Sequence, residues 1–255
     1  MTLAPELSAA LVERLTAYAD DELVLGHHQA GWTGHAPLLE EDIAIANVAQ
    51  DEIGHAVAWL ELRAALDGSD PDRLVFFRAA SDYRSAWLSE QPRGDWAFTM
   101  LRQYLFDAYE AELLARLSAS SYRPLADTAA KVAREELFHL RHSRLWVERL
   151  AHGTDESRDR LVSAVAVAWP LMAQLLAPLP QDAALEAAGI TYSSRDLEES
   201  VVAATSAELV RHGFALPPFA PVPAGDPRAL RTKHLAPTLL VMQSVARSDA
   251  DAQAW

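Results

Sequence analysis

Cysteine is missing from this 255-residue chain, which excludes disulfides, thiolate metal sites and iron–sulfur clusters. Positive charge is scarce as well. A net charge of −14 argues against sequence-independent nucleic-acid binding, which needs a cationic surface, although basic surface can still be local. Half of the residues are apolar, yet no apolar run comes near the length of a membrane span. The opening stretch, Met1 to Leu15, carries Glu6, Glu13 and Arg14 and lacks the pattern of a signal peptide, so the cytoplasm is the expected compartment. Strand-type alternation is absent too, and no short repeat recurs.

What is present is helical periodicity along nearly the whole length. The pattern predicts helices over about 6–29, 37–67, 71–90, 95–119, 124–151 and 155–177, then two weaker ones over about 194–212 and 228–247. Pro37 suits the first turn of the second helix, Gly68 and Gly153 act as stops, and Pro170 should kink the sixth. Between the last two helices, residues 215–223 are too proline-rich for helix or central strand and read as an extended arm over the surface. The class is all-α. The expected architecture is one domain over 1–255: a four-helix bundle at about 6–151, followed by C-terminal helices and the arm at about 154–255.

Two Glu-x-x-His quartets stand out, Glu52-Ile-Gly-His55 and Glu136-Leu-Phe-His139. Each has an acid about one helical hairpin upstream: Glu22 lies 30 positions before Glu52, and Asp107 lies 29 before Glu136. Residues three apart share a helix face, so each quartet can address one metal region. Carboxylate oxygen and imidazole nitrogen suit iron, manganese or zinc, and two acids plus two such pairs on four helices match a di-iron or di-manganese site. The quartet alone is a weak signal, since 18 glutamates and nine histidines in 255 residues give roughly 0.6 by chance. Placement adds force. Both quartets are mid-helix among apolar residues, Ile43, Ile45, Val48 and Val57 for the first and Val132, Leu137, Leu140 and Leu145 for the second. Clustered buried carboxylates need metal or protons.

At about 1.5 Å rise per residue, Asp107 and Glu136 sit at equal heights from their connecting turn. Glu22 and Glu52 differ by about 9 Å, a gap that an extended 31–37 segment would cover by climbing beyond the first helix. Glu110 shares the face of Asp107 and is its rival as a ligand. Glu135 points about 100° from Glu136 and reads as a supporting or surface acid. Gln103 and Tyr104, one turn before Asp107, are candidates to orient it, with Tyr104 more simply a core residue. Gly54 either makes room beside the metal or serves close helix packing. His142 reads as solvated or structural, and His27 and His28 as helix-end residues. Trp32, Trp59, Trp87, Trp96, Trp146 and Trp169 read as core or interface anchors.

Residues 31–47 (Gly-Trp-Thr-Gly-His-Ala-Pro-Leu-Leu-Glu-Glu-Asp-Ile-Ala-Ile-Ala-Asn), 139–155, 234–243 and the closing Trp255 resemble the phenylacetic acid catabolic family. The likeness extends over almost the whole chain. It implies a ferritin-like fold and a place in the oxygenase component of ring 1,2-phenylacetyl-CoA epoxidase, a complex similar to bacterial multicomponent monooxygenases. Such a complex adds one oxygen atom from O2 across the aromatic ring of phenylacetyl-CoA. A dinuclear iron site in its catalytic subunit does the chemistry, and a separate flavin/iron–sulfur reductase supplies electrons. Most of the sequence resembles the smaller, structural partner subunit, which pairs with the catalytic one. The ligand positions depart from that pattern: Glu22, Glu52, His55, Asp107, Glu136 and His139 all match the catalytic type, and this match favours Asp107 over Glu110. The resemblance therefore implies two iron ions (or manganese) in this chain. As partners it implies the catalytic oxygenase polypeptide, a reductase, phenylacetyl-CoA or a related aryl-CoA, and a second copy as a candidate homodimer partner. Two alternatives are a scaffold that does no chemistry and a ferritin-like metal-handling protein.

Overall fold

The computed structural model describes residues 3–250, and all regular structure among them is helical. Ten α-helices follow in order: α1 Pro5–Ala30, α2 Leu39–Asp67, α3 Pro71–Phe76, α4 Trp96–Leu117, α5 Arg123–His152, α6 Asp155–Leu176, α7 Asp182–Ala187, α8 Ser194–Arg211, α9 Leu235–Met242 and α10 Ser244–Ser248. The Met1 and Trp255 ends lie outside the described residues.

Helix ends follow local chemistry. Pro5 opens α1, where a missing N–H costs nothing. Gly68 stops α2 in the left-handed conformation at φ 74°, its N–H bonded to the Ala64 carbonyl. Asp95 caps α4 through the Phe98 N–H, and Thr154 and Ser157 form a capping box at α6.

Two hairpins form the core, α1 packed on α2 and α4 on α5, with α2 against α5 closing the four-helix bundle. Gly26 allows the tight approach of the first hairpin. A Cβ there would lie 3.0 Å from Glu52 Cβ, 3.1 Å from Ile53 Cγ1 and 3.2 Å from the Ala49 carbonyl oxygen. Helix α6 packs on α4 and α5, and α8 on α4 and α6. One apolar cluster runs from Leu11 and Leu15 in α1 through Leu105 and Leu125 to Leu239 in α9.

Several sequence expectations need correction. The predicted third helix, 71–90, stops at Phe76, and a short 3-10 turn follows at Ala80–Asp82. The reason lies in α1. Asp20 accepts from the Arg84 N–H (2.7 Å), and Asp21 accepts from the Ala86 N–H (2.5 Å) and the Ser89 hydroxyl (2.9 Å), so these donors are satisfied without a helix. The 31–37 segment is a run of turns and bends instead of an extended climb. It is gathered by Asp42, which accepts from the N–H groups of Gly34 (2.9 Å) and Ala36 (3.0 Å). Helix α2 accordingly starts at Leu39, with Pro37 before it. The final helix is shorter than 228–247 and splits into α9 and α10, and the six-residue α7 is too short for periodicity to reveal.

Helix α6 runs without a break through Pro170. The carbonyl of Pro170 accepts from the Ala220 N–H of the arm (2.9 Å), and Phe219 stacks on Trp169, which fastens the non-helical 215–223 segment to α6. By length and composition α6 is apolar enough to cross a membrane, contrary to the expectation of no such run; half of that apolar window is buried within the protein.

Candidate metal centre

Bundle geometry brings both quartets to one place. Glu22 from α1, Glu52 and His55 from α2, and Glu136 from α5 offer ligand atoms within 4.8 Å of one another, and Asp107, Glu110 and Glu136 form a second such group. Glu136 belongs to both. His139 joins them through Nδ1, which is 2.9 Å from Glu136 Oε1 and 3.7 Å from Glu52 Oε1. Nδ1 of His55 lies 3.2 Å from Glu136 Oε1 and 3.6 Å from Glu22 Oε2. The imidazole rings are 6.0 Å apart between centroids. All seven residues are buried.

The same atoms make the cluster fit for metal. Glu22 Oε2, Glu52 Oε2, Glu110 Oε2, Glu136 Oε2 and His55 Nδ1 are buried without a hydrogen-bond partner. Such atoms are costly unless a cation or a proton answers them. Five carboxylates and two imidazoles are hard and borderline donors, the set that suits iron or manganese. A buried acidic and histidine cluster able to hold metal is thus built into the bundle.

Without metal, protons balance the charge. Burial, followed by the charges of Glu22 and Glu136, pushes the Glu52 carboxyl well up. Burial and Glu136 do the same to Asp107, and burial with Glu136 and Glu22 to Glu110. Burial works against ionising Glu22, but His55 outweighs it and brings the carboxyl down to about 2. Burial likewise opposes ionising Glu136, and His139 and His55 outweigh it and lower that carboxyl too. The histidines respond in kind: burial opposes their charge, yet Glu136 and Glu22 raise His55 to about 11, and Glu136 raises His139 to about 9. Burial and like charge thus favour the protonated form at Glu52, Asp107 and Glu110, while Glu22 and Glu136 pair with the two imidazoles.

Around it lies a cradle that sequence reasoning reaches only in part. Glu135, the expected supporting acid, places Oε2 2.8 Å from His55 Nε2. Its counterpart is an acid that spacing did not single out: Asp51 Oδ2 lies 3.2 Å from His139 Nε2. Each quartet is preceded by an acid that holds the histidine of the other, and the acid-then-Glu pairs at 51–52 and 135–136 are the signal for it. Gln103 orients Asp107 as expected, donating from Nε2 to Asp107 Oδ1 (2.6 Å) and also to Glu52 Oε1 (2.6 Å). Its own carbonyl oxygen accepts from Gln29, a partner that no sequence signal indicates. Ser143, one turn after His139, donates to Asp107 Oδ2 (2.6 Å), and Trp59 donates weakly to Glu22 Oε1 (3.4 Å). Both Asp107 oxygens are thus occupied, whereas Glu110 keeps a free one, so Glu110 remains the rival that its spacing suggested.

The other candidates separate. His142 bonds Glu41 Oε2 (2.7 Å) and ties α5 to α2, a structural role. Tyr104 is a buried core residue. Gly54 faces open space, so neither reading of it holds; the close-packing glycine is Gly26. Trp32, Trp96 and Trp146 form an edge-to-face cluster with centroid spacings of 5.0 and 5.3 Å. Of the apolar neighbours of the quartets, Ile45, Val48 and Val132 are buried, but Ile43, Val57, Leu137 and Leu145 are exposed. With Leu39, Ile53 and Phe138 they give the outer sides of α2 and α5 a strongly apolar surface.

Residues 2–255 match the family model described as Phenylacetic acid catabolic protein. Over 241 residues the chain is 37% identical to the C-type subunit of 1,2-phenylacetyl-CoA epoxidase from Escherichia coli (strain K12), covering 92% of this chain and 97% of that protein. The A-type subunit of the same enzyme is 23% identical over 214 residues, 81% of this chain and 68% of its own length.

Proposed function

The chain belongs to the phenylacetic acid catabolic protein family, and from that premise we propose that it is a subunit of the oxygenase component that epoxidises the aromatic ring of phenylacetyl-CoA, with a dinuclear iron site of its own. The observation that carries this reading is the buried cluster with its unpartnered carboxylate oxygens and paired histidines. Glu22, Glu52, His55, Asp107, Glu136 and His139 would hold the ions. When bound, two ferrous ions supply the electrons that activate O2 for insertion into an arene.

The chain's own residues do the rest. Nδ1 of each histidine is directed at the cluster because Glu135 and Asp51 hold the opposite nitrogen, which fixes the tautomer and the ring plane. Gln103 keeps Glu52 and Asp107 in register through one amide nitrogen. The surrounding apolar core excludes water from the carboxylates. We read 1–255 as one domain, supported by the core cluster that joins α1 to α9. A cytoplasmic location is in keeping with the absence of cysteine.

We assign the pairing surface for an A-type oxygenase polypeptide to the exposed apolar face of α2 and α5, where Leu39, Ile43, Leu137 and Phe138 would be buried by a partner. Electrons would come from a separate reductase. A second reading, a scaffold without chemistry of its own, is favoured by the higher identity to the C-type relative and by Gln103 and Ser143, which satisfy Asp107 without a metal.

Iron analysis of protein grown with iron tests the first reading. About two iron ions per chain, with optical or Mössbauer signals of a coupled pair, are expected; fewer than one per chain overturns it. Glu52→Ala in the reconstituted complex then separates the two. Loss of iron with intact assembly and lost turnover supports chemistry in this chain, and full turnover assigns the chemistry to the partner.

A further inference from the structure

The C-terminal end of α1 brings His27 and His28 beside Arg93 in a chain whose net charge is −14. A shallow, open pocket of about 330 Å3 lies there, lined by His27, His28, Gly31 and Arg93 and bordered by Pro237, Thr238 and Val241 of α9. No carboxylate lines it among the described residues. The metal cluster contributes none of its residues.

Donors are left over at this place. His28 is 9% exposed, and its Nε2 has no hydrogen-bond partner. Arg102 is fully buried on α4. Its Nη1 donates to the carbonyls of Gln91 (2.6 Å) and Pro92 (3.3 Å), while Nε and Nη2 have no partner. Arg93 and Arg102 donate to backbone carbonyls, and neither has an ion pair with a carboxylate among the described residues. A buried cation without a counter-charge is strongly unfavourable, and the usual remedy is an anion.

The electrostatics agree. Burial, then Arg102, His27, Arg93 and His234 push the His28 imidazole down to about 2, and every charged group named there is a cation or a histidine. Burial brings Arg102 down to about 9. One effect works the other way: carbonyls at the end of α1 carry negative dipole charge. That charge is already answered, because Arg93 donates to the Gly31 carbonyl while its guanidinium lies 4.6 Å from the Trp32 ring centroid.

We propose that this pocket binds a phosphate-class oxyanion, either the free ion or the phosphate group of a small ester, with His27, His28 and Arg93 as contacting donors and Arg102 as the buried charge that favours it. A guanidinium forms charge-assisted bonds to such an oxyanion, and a neutral imidazole donates an ordinary N–H bond to it. The site does not depend on the metal centre or on the oxygenase reading.

Isothermal titration of the whole protein in phosphate-free buffer tests it, once with inorganic phosphate and once with coenzyme A. Saturable binding is expected, weakened at least tenfold by His28→Leu and by Arg93→Met, and unchanged by Glu52→Ala. Coenzyme A that binds and is displaced by phosphate identifies an ester phosphate as the ligand; phosphate that binds without coenzyme A identifies the free ion. Binding of neither, or binding that both pocket variants retain, overturns the site. Should a variant fail to fold, ring resonances of His27 and His28 in the unaltered protein decide. They shift on addition of phosphate if the site is real, and stay unmoved if it is not.

Discussion

Glu135 and His55 sit on different helices, yet Glu135 Oε2 lies 2.8 Å from His55 Nε2 while His55 Nδ1 faces Glu22 and Glu136. Asp51 and His139 repeat the relationship in the other direction. Both supporting acids are roughly half exposed, so the histidines of a buried cluster are oriented from its rim.

Removing such an acid should leave the fold intact and loosen the ligand. For Glu135→Ala and Asp51→Ala, iron affinity should drop by about 10–100-fold each. Competition against a calibrated chelator measures this, and unchanged affinity in both variants would show that the rim acids are incidental.

Metal uptake should depend steeply on pH. Glu52, Asp107 and Glu110 hold their protons because burial and neighbouring carboxylates raise them, and His55 and His139 hold theirs to about 11 and about 9. Ligation requires ionised carboxylates and neutral imidazoles, so binding releases protons and apparent affinity rises with pH. An indicator dye in weak buffer should report proton release on addition of ferrous ion.

The metal-free protein should show the opposite trend. A histidine raised on folding contributes stability that is present in full below its unfolded value, about 6.5. That contribution is lost as pH rises through about 9 for His139 and about 11 for His55. Thermal melts of metal-free protein should therefore fall in midpoint between pH 7 and pH 11, and a flat profile would count against the imidazolium–carboxylate pairs.

Two glycines on the first hairpin should behave in opposite ways. Gly26→Ala forces a Cβ to 3.0 Å from Glu52 Cβ and 3.2 Å from the Ala49 carbonyl oxygen, parting α1 from α2. A loss of about 1–3 kcal/mol and weakened iron binding are expected. Gly54→Ala meets nothing within 4 Å and should stabilise by up to about 1 kcal/mol. Urea titrations of the two variants check both signs.

The buried ion pair between Asp21 and Arg228 (2.7 Å) fastens the segment between α8 and α9 to α1 beside Glu22. Arg228→Met leaves Asp21 without its counter-charge, and a loss of about 3–5 kcal/mol is expected. Chemical denaturation would register it, and a change below about 1 kcal/mol would mean that the Ala86 N–H and the Ser89 hydroxyl suffice for Asp21.

The all-α class, the four bundle helices and the two Glu-x-x-His pairs are legible in the sequence alone. Each of these is set by local rules: apolar periodicity, caps and stops at Pro5, Gly68 and Thr154, and the three-residue spacing that puts Glu52 with His55 and Glu136 with His139 on one face. Tertiary structure decided what depends on neighbours distant in the chain. Asp20 and Asp21 claimed the donors of 84–89 and so ended the predicted third helix, a choice invisible to periodicity. Gly26, not Gly54, proved to be the close-contact residue, because only the packing of α1 on α2 shows where a Cβ would meet another backbone. The outward faces of Ile43, Val57, Leu137 and Leu145 likewise emerged only once the bundle fixed which side of each helix is inside. Asp51 completes the cradle from 88 residues away, a distance over which spacing carries no signal and only folding brings a carboxylate to an imidazole.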